Sequence, residues 1–183
     1  MKTLNNYVNE ALIKKDTKIS HYIYHPKDFD ELRSLLRSLL SKRGKNADLN
    51  DIDVSQITTF YDDRNDIGLF EDLEPYNIDI SKWNVSNVTD MTNTFFGCFD
   101  FNGNLSNWNV KKVKSMNHMF FLCQLFTGES LENWKTFDLE NIDYMFYGCK
   151  KFNCNLSKWN VNKLTTSNYA FYDCRSLKNI PNW

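Results

Sequence analysis

The sequence predicts an α/β repeat solenoid: a stack of short parallel strands and helical turns with an N-terminal helical cap. Three observations carry that expectation. Trp83, Trp108, Trp134 and Trp159 recur every 25 or 26 residues. Each is followed fifteen residues later by a cysteine: Cys98, Cys123, Cys149 and Cys174. The columns between them keep their chemistry from unit to unit, and self-similarity at a fixed period marks a repeat architecture.

Three stretches follow. Residues 1–18 read as an N-terminal arm, with Leu4, Tyr7, Val8, Ala11 and Leu12 on one helical stripe. Residues 19–48 read as a capping strand and helix. The strand is expected over 19–24. The helix is expected over 28–43, because Phe29, Leu32, Leu35, Leu36, Leu39 and Leu40 share a face. Asp28 and Glu31 have capping-box spacing, and Gly44 follows the last turn. This helix is expected to cover the open end of the stack.

Residues 49–183 read as the repeats. Residues 49–60 align with 105–116 as a degenerate first unit, Ile52 standing where the others have tryptophan. An insertion is expected within the acidic stretch 62–74. Apolar rows run through Val85, Val110, Thr136 and Val161, and through Val88, Val113, Leu139 and Leu164. Further rows are Met91, Met116, Ile142 and Ser167, and Phe95, Phe120, Phe146 and Phe171. One unit is too short to bury these groups alone, whereas neighbours bury them as ladders. A strand is expected at 87–91 and a helical turn at 92–98. A fifth tryptophan, Trp183, stands 24 residues after Trp159.

The segment Ile80, Ser81, Lys82, Trp83, Asn84, Val85, Ser86, Asn87, Val88, Thr89, Asp90 and Met91 resembles the BspA-type leucine-rich-repeat proteins. The likeness is to their mycoplasma-type surface-protein repeat of about 25 residues. Residues 168–181 resemble the related BspA leucine-rich repeat. The resemblance spans 49–183. It implies a curved α/β solenoid used for binding, often secreted or lipid-anchored as an adhesin, and it implies no catalytic residues. A second, shorter likeness concerns residues 1–12, which are similar to the capsid-targeting leader of internal head proteins in large tailed bacteriophages. Val8, Asn9 and Glu10 would be the cleavage triplet, and an ordinary amphipathic arm is the competing reading.

A length of 183 residues suits a single domain. A net charge of −1 supplies no electrostatic case for nucleic acid or an anionic membrane. No apolar run approaches a membrane span, and residues 1–20 lack the pattern of a secretory signal. The expected location is therefore cytoplasmic or virion-associated, ahead of the cell surface. Four cysteines in one column act as small buried hydrophobes, with Cys154 outside it and open to exposure. No cofactor is expected. No metal site is expected either, since cysteine and histidine pairs at ligand spacing are missing and the acidic run lacks a calcium-loop pattern. The triplets beginning at Asn84, Asn87, Asn104 and Asn155 match the glycosylation pattern but read as turn-forming asparagines.

His21, His25 and His118 belong to no catalytic arrangement. The expected function is therefore non-enzymatic recognition of a protein partner through exposed rows. Those rows are Thr89, Asp90, Lys114, Ser115, Glu140, Asn141, Thr165 and Thr166, with the column Asn93, His118, Tyr144 and Tyr169. A phage-encoded structural or head-packaged protein and a bacterial surface adhesin are the alternatives. Oligomeric state is left open.

Overall fold

The computed structural model describes residues 22–181. The leader triplet at 8–10, the amphipathic stripe of 1–15, the first half of the strand expected at 19–24, His21 and Trp183 lie outside those residues. Tyr24 makes an isolated parallel bridge to Ile52.

Helix α1 spans Phe29–Arg43. Asp28 caps it by accepting the Glu31 N–H at 2.9 Å, and the Glu31 carboxylate accepts the Lys27 N–H at 3.0 Å. Gly44, at φ 82°, closes the far end through its N–H to the Leu40 carbonyl. The buried face carries Phe29, Leu32, Leu36, Leu39 and Leu40, as the apolar spacing requires, and also Arg33. The acidic insertion folds as a hairpin, β1 (Tyr61–Asp62) antiparallel to β2 (Ile67–Gly68). A 3-10 turn, Glu129–Leu131, completes the regular structure.

The α/β repeat solenoid expected from the sequence is corrected here. Among the described residues there is one α-helix and one two-stranded sheet, and the rest is mainly turns and loops. The 87–91 stretch is no strand. Parallel contacts are single-residue bridges, Thr59 to Asp90, Asp90 to Ser115, Ser115 to Asn141 and Asn141 to Thr166. The 92–98 stretch is no helical turn either, because Asn93 and Gly97 sit at φ 53° and 68°.

Backbone bonding gives the reason. Met91, Asn93, Phe95 and Gly97 donate their N–H groups to Ser115, Asn117, Met119 and Phe121, one sequence period away. The intervening Thr94, Phe96 and Cys98 donate to carbonyls three residues back, and Thr92 donates to the Asp90 side chain. Successive N–H groups alternate between local and distant acceptors, so neither a helical run nor a strand ladder can propagate.

Sequence-equivalent side chains do meet. The indoles lie 6.4, 6.5 and 6.1 Å apart from Trp83 to Trp159. Each indole N–H donates to a backbone carbonyl, those of Leu49, Ile80, Leu105 and Leu131. Phe70, Phe95, Phe120, Phe146 and Phe171 stack at 5.1–5.7 Å. The Cys123, Cys149 and Cys174 thiols donate to carbonyls at 3.0–3.1 Å. All five cysteines are free thiols, and Cys154, expected to be open to exposure, is buried. The asparagines of the glycosylation-like triplets at 84, 104 and 155 each accept the N–H two residues on, which is their turn-forming role.

Candidate interaction surface

Each 25-residue segment bends twice through left-handed backbone, at Asn93 and Gly97, His118 and Leu122, Tyr144 and Gly148, and Tyr169 and Asp173. The core phenylalanine and the one residue between it and the second bend therefore point to opposite sides. Phe95 and its equivalents go inward. Phe96, Phe121, Tyr147 and Tyr172 go outward and stack on one another at 4.8, 4.9 and 4.9 Å.

A second outward row runs beside the first. His118 stacks on Tyr144 at 4.7 Å, and Tyr144 on Tyr169 at 5.2 Å. The rows touch through His118 and Phe121 at 5.2 Å, Tyr144 and Tyr147 at 6.0 Å, and Tyr169 and Tyr172 at 6.1 Å. Rings stacked face to face show solvent chiefly their edges. Exposure rises at one end of the band, where Tyr169 and Tyr172 are 59% and 56% accessible.

The residues expected from the sequence divide into three groups. His118, Tyr144 and Tyr169 form the second outward row, whereas Asn93, at their equivalent position, is buried with its amide facing Asp66 at 3.4 Å. Asp90, Ser115, Asn141 and Thr166 are the half-buried bridge residues, and the side chains of Asp90, Ser115 and Asn141 each hold the N–H two residues on. Thr166 instead donates its hydroxyl to Asp143. Thr89, Lys114, Glu140 and Thr165 are exposed. Lys114 and Glu140 pair loosely at 3.9 Å, and the hydroxyls of Thr89 and Thr165 donate to the carbonyls of Thr58 and Glu140. The row Phe96, Phe121, Tyr147 and Tyr172 was missed. Its signal, an aromatic residue directly after the core phenylalanine in all four segments, reads as one broad apolar stretch unless the bend is known.

Polar groups beside the band are tied into the frame. Asp143 accepts the Asn168 N–H and the Thr166 hydroxyl, both at 2.5 Å. His118 Nδ1 lies 2.7 Å from the Asn117 side-chain oxygen. Desolvation holds the His118 imidazole below its usual range, against the opposing pull of Asp143 and Asp66. No group of three or more His, Cys, Asp or Glu side chains among the described residues is placed to hold a metal ion. No helix among them is long and apolar enough to cross a membrane.

Residues 34–130 and 65–183 both match the family model described as a Mycoplasma protein of unknown function, DUF285. The chain belongs to the DUF285 family. The two matches overlap, so the DUF285 pattern lies on this chain in two offsets. No curated protein and no solved structure matches the chain.

Proposed function

We propose that this DUF285 chain is a non-enzymatic interaction module that binds a protein partner across its outer aromatic band. The observation that carries the reading is the double row of rings from Phe96 and His118 to Tyr169 and Tyr172, partly exposed and mutually stacked. Aromatic side chains supply large contact area, and clustered exposed ones mark binding surfaces. Stacking already immobilises these rings, which removes about 0.5–1.5 kcal/mol of ordering cost per side chain on association. Thr89, Lys114, Glu140 and Thr165 would form a polar rim to that contact. We infer further that the kinship is with the BspA-like leucine-rich-repeat proteins; the columns at 80–91 and 168–181 support it.

The test places a photo-crosslinking amino acid at Tyr147, and separately at exposed Asn109 in the tryptophan segment, in cells of the source organism. Discrete protein adducts are expected from position 147 and not from 109. Tyr144→Ala with Tyr172→Ala should weaken capture by about ten-fold or more. Equal labelling from both positions would remove the band from the reading.

A further inference from the structure

The aromatic band is bordered unequally by charge. Beyond its second bends the cations are already engaged: Arg175 pairs with Asp173 at 2.7 Å, and Lys150 donates to the Gln124 side-chain oxygen at 3.0 Å. Along its first bends, the row of His118, Tyr144 and Tyr169, the charges are carboxylates. Asp143 stands directly before Tyr144. Asp66, itself left-handed at φ 52°, faces the amide of Asn93, the bend next to His118. Desolvation lowers the His118 imidazole, and these two carboxylates oppose it. Asp63 and Asp90 extend the group. With Asp66 they act on the Tyr61 hydroxyl, which is pushed up to about 12, first by its hydrogen bond to Asp66 at 2.8 Å.

None of these four carboxylates has a cationic partner among the described residues. Asp66 accepts from Tyr61 and Asn93, Asp143 from Thr166 and Asn168, and Asp90 from the Thr92 N–H, all neutral donors. Arg64 on the hairpin is turned to Asp62 and Asp30 instead. By contrast, Asp51, Glu74, Glu132 and Asp138 each hold an arginine or a lysine. Like charges held together without a counter-charge repel, and an incoming cation relieves them.

The rings narrow the choice of partner. Stacked neighbours in the two rows are inclined by only 5 to 18°. Phe121, Tyr144 and Tyr147 thus have both faces covered. A nucleobase needs a free face to stack on, and its phosphates would meet the carboxylates. These rings present their edges, the positive part of the ring quadrupole, which suit carbonyl oxygens and apolar groups.

We propose that the band takes a basic polypeptide segment. Its lysine or arginine side chains meet Asp66 and Asp143 along the first bends, and its backbone carbonyls and apolar groups lie on the ring edges. The proposal rests on the band being a protein-binding surface. Charge complementarity sets the sign of the partner and steers its approach, while the rings supply contact area. The surface centres on His118, Phe121, Tyr144 and Tyr147, each with a described segment on both sides.

The experiment titrates the full chain with two synthetic peptides of equal length, one alternating leucine with lysine and one alternating leucine with glutamate. The lysine peptide should bind and the glutamate peptide should not. Asp66→Asn with Asp143→Asn should weaken the lysine peptide about ten-fold, and salt at about 0.5 M should weaken it too. Asp63→Asn with Asp66→Asn is confined to the exposed hairpin and should cost about five-fold even where the Asp143 variant fails to fold. Glu129→Gln, in the 3-10 turn, should change nothing. Tyr147→Ala should weaken binding; a lysine peptide indifferent to it would be held by charge alone, which would overturn the proposal. Equal binding of the glutamate peptide, or no binding of the lysine peptide at about 1 mM, would overturn it as well. Repeating the carboxylate variants with the photo-crosslinker at position 147 in source cells separates the two readings. Undiminished adducts would leave the band as the binding surface and overturn the basic partner. No adducts with the carboxylates intact would remove the surface, and this proposal with it.

Discussion

Two glycines and one histidine show how much single residues decide. An added Cβ at Gly68 would lie 1.8 Å from the Asn93 carbonyl oxygen, backbone that cannot give way, while one at Gly97 meets nothing within 4 Å. Gly97→Ala then carries only the strain of its positive φ, about 1–2 kcal/mol. Gly68→Ala should cost about 3 kcal/mol or more by forcing the hairpin off its neighbour. Urea denaturation of the two variants tests the ranking, and an equal loss would remove the steric account. His118 is held below its ordinary value of 6.5, first by desolvation. The unfolded chain therefore binds the proton more readily. Stability from this group is present above the unfolded value and falls as pH drops toward the folded one. His118→Tyr, which copies Tyr144 and Tyr169, should flatten the stability profile between roughly pH 7 and 5. An unchanged slope would show that another group carries the dependence.

Among the elements, α1 was legible and the strands were not. Its apolar residues recur at helical spacing, and Asp28 and Gly44 mark its ends, so local chemistry sufficed. Arg33 shows what spacing alone misses: a charged residue on the buried face, paired with three carbonyls at the end of the hairpin and just beyond it, 35 or more residues away. Arg33→Met should cost about 3 kcal/mol, because the carbonyls left behind are shielded from water. Arg33→Lys should restore only part of that, since a compact ammonium lacks the planar fork. Thermal unfolding of the pair separates these outcomes; full rescue by lysine would reduce the role of Arg33 to charge alone. The helical turn expected at 92–98 failed because each segment interrupts a right-handed backbone at two left-handed positions, only two of which in the aligned set after Asn93 are glycine. The strand expected at 87–91 failed because the Val88 N–H turns back to the Val85 carbonyl and only Asp90 is left to bridge.

For the molecule as a whole, the core is one connected cluster from Phe29 to Ala170. It contains four of the five thiols, with Cys174 packed against it, and burial pushes those of Cys98, Cys123 and Cys149 well above the ordinary thiol range. A thiol reagent at about pH 8 should modify half-buried Cys174 first and reach the other four only as fast as the fold opens. Rapid labelling of all five in the native chain would contradict the buried column.

The sequence by itself determined the period, the tryptophan, phenylalanine and cysteine columns, and α1, because those follow from which side chains water rejects and how often they recur. It also identified His118, Tyr144 and Tyr169 as one outward column. Only the tertiary structure decided that Asn93 is buried, that Phe96, Phe121, Tyr147 and Tyr172 form a second outward row, and which N–H groups reach across to a neighbouring segment. Those outcomes depend on the sign of φ at a few positions and on whether each N–H finds its acceptor three residues back or one segment ahead. Residue type constrains that choice weakly, since histidine, leucine, tyrosine and aspartate all occupy the left-handed positions here, held there by contacts with neighbouring segments.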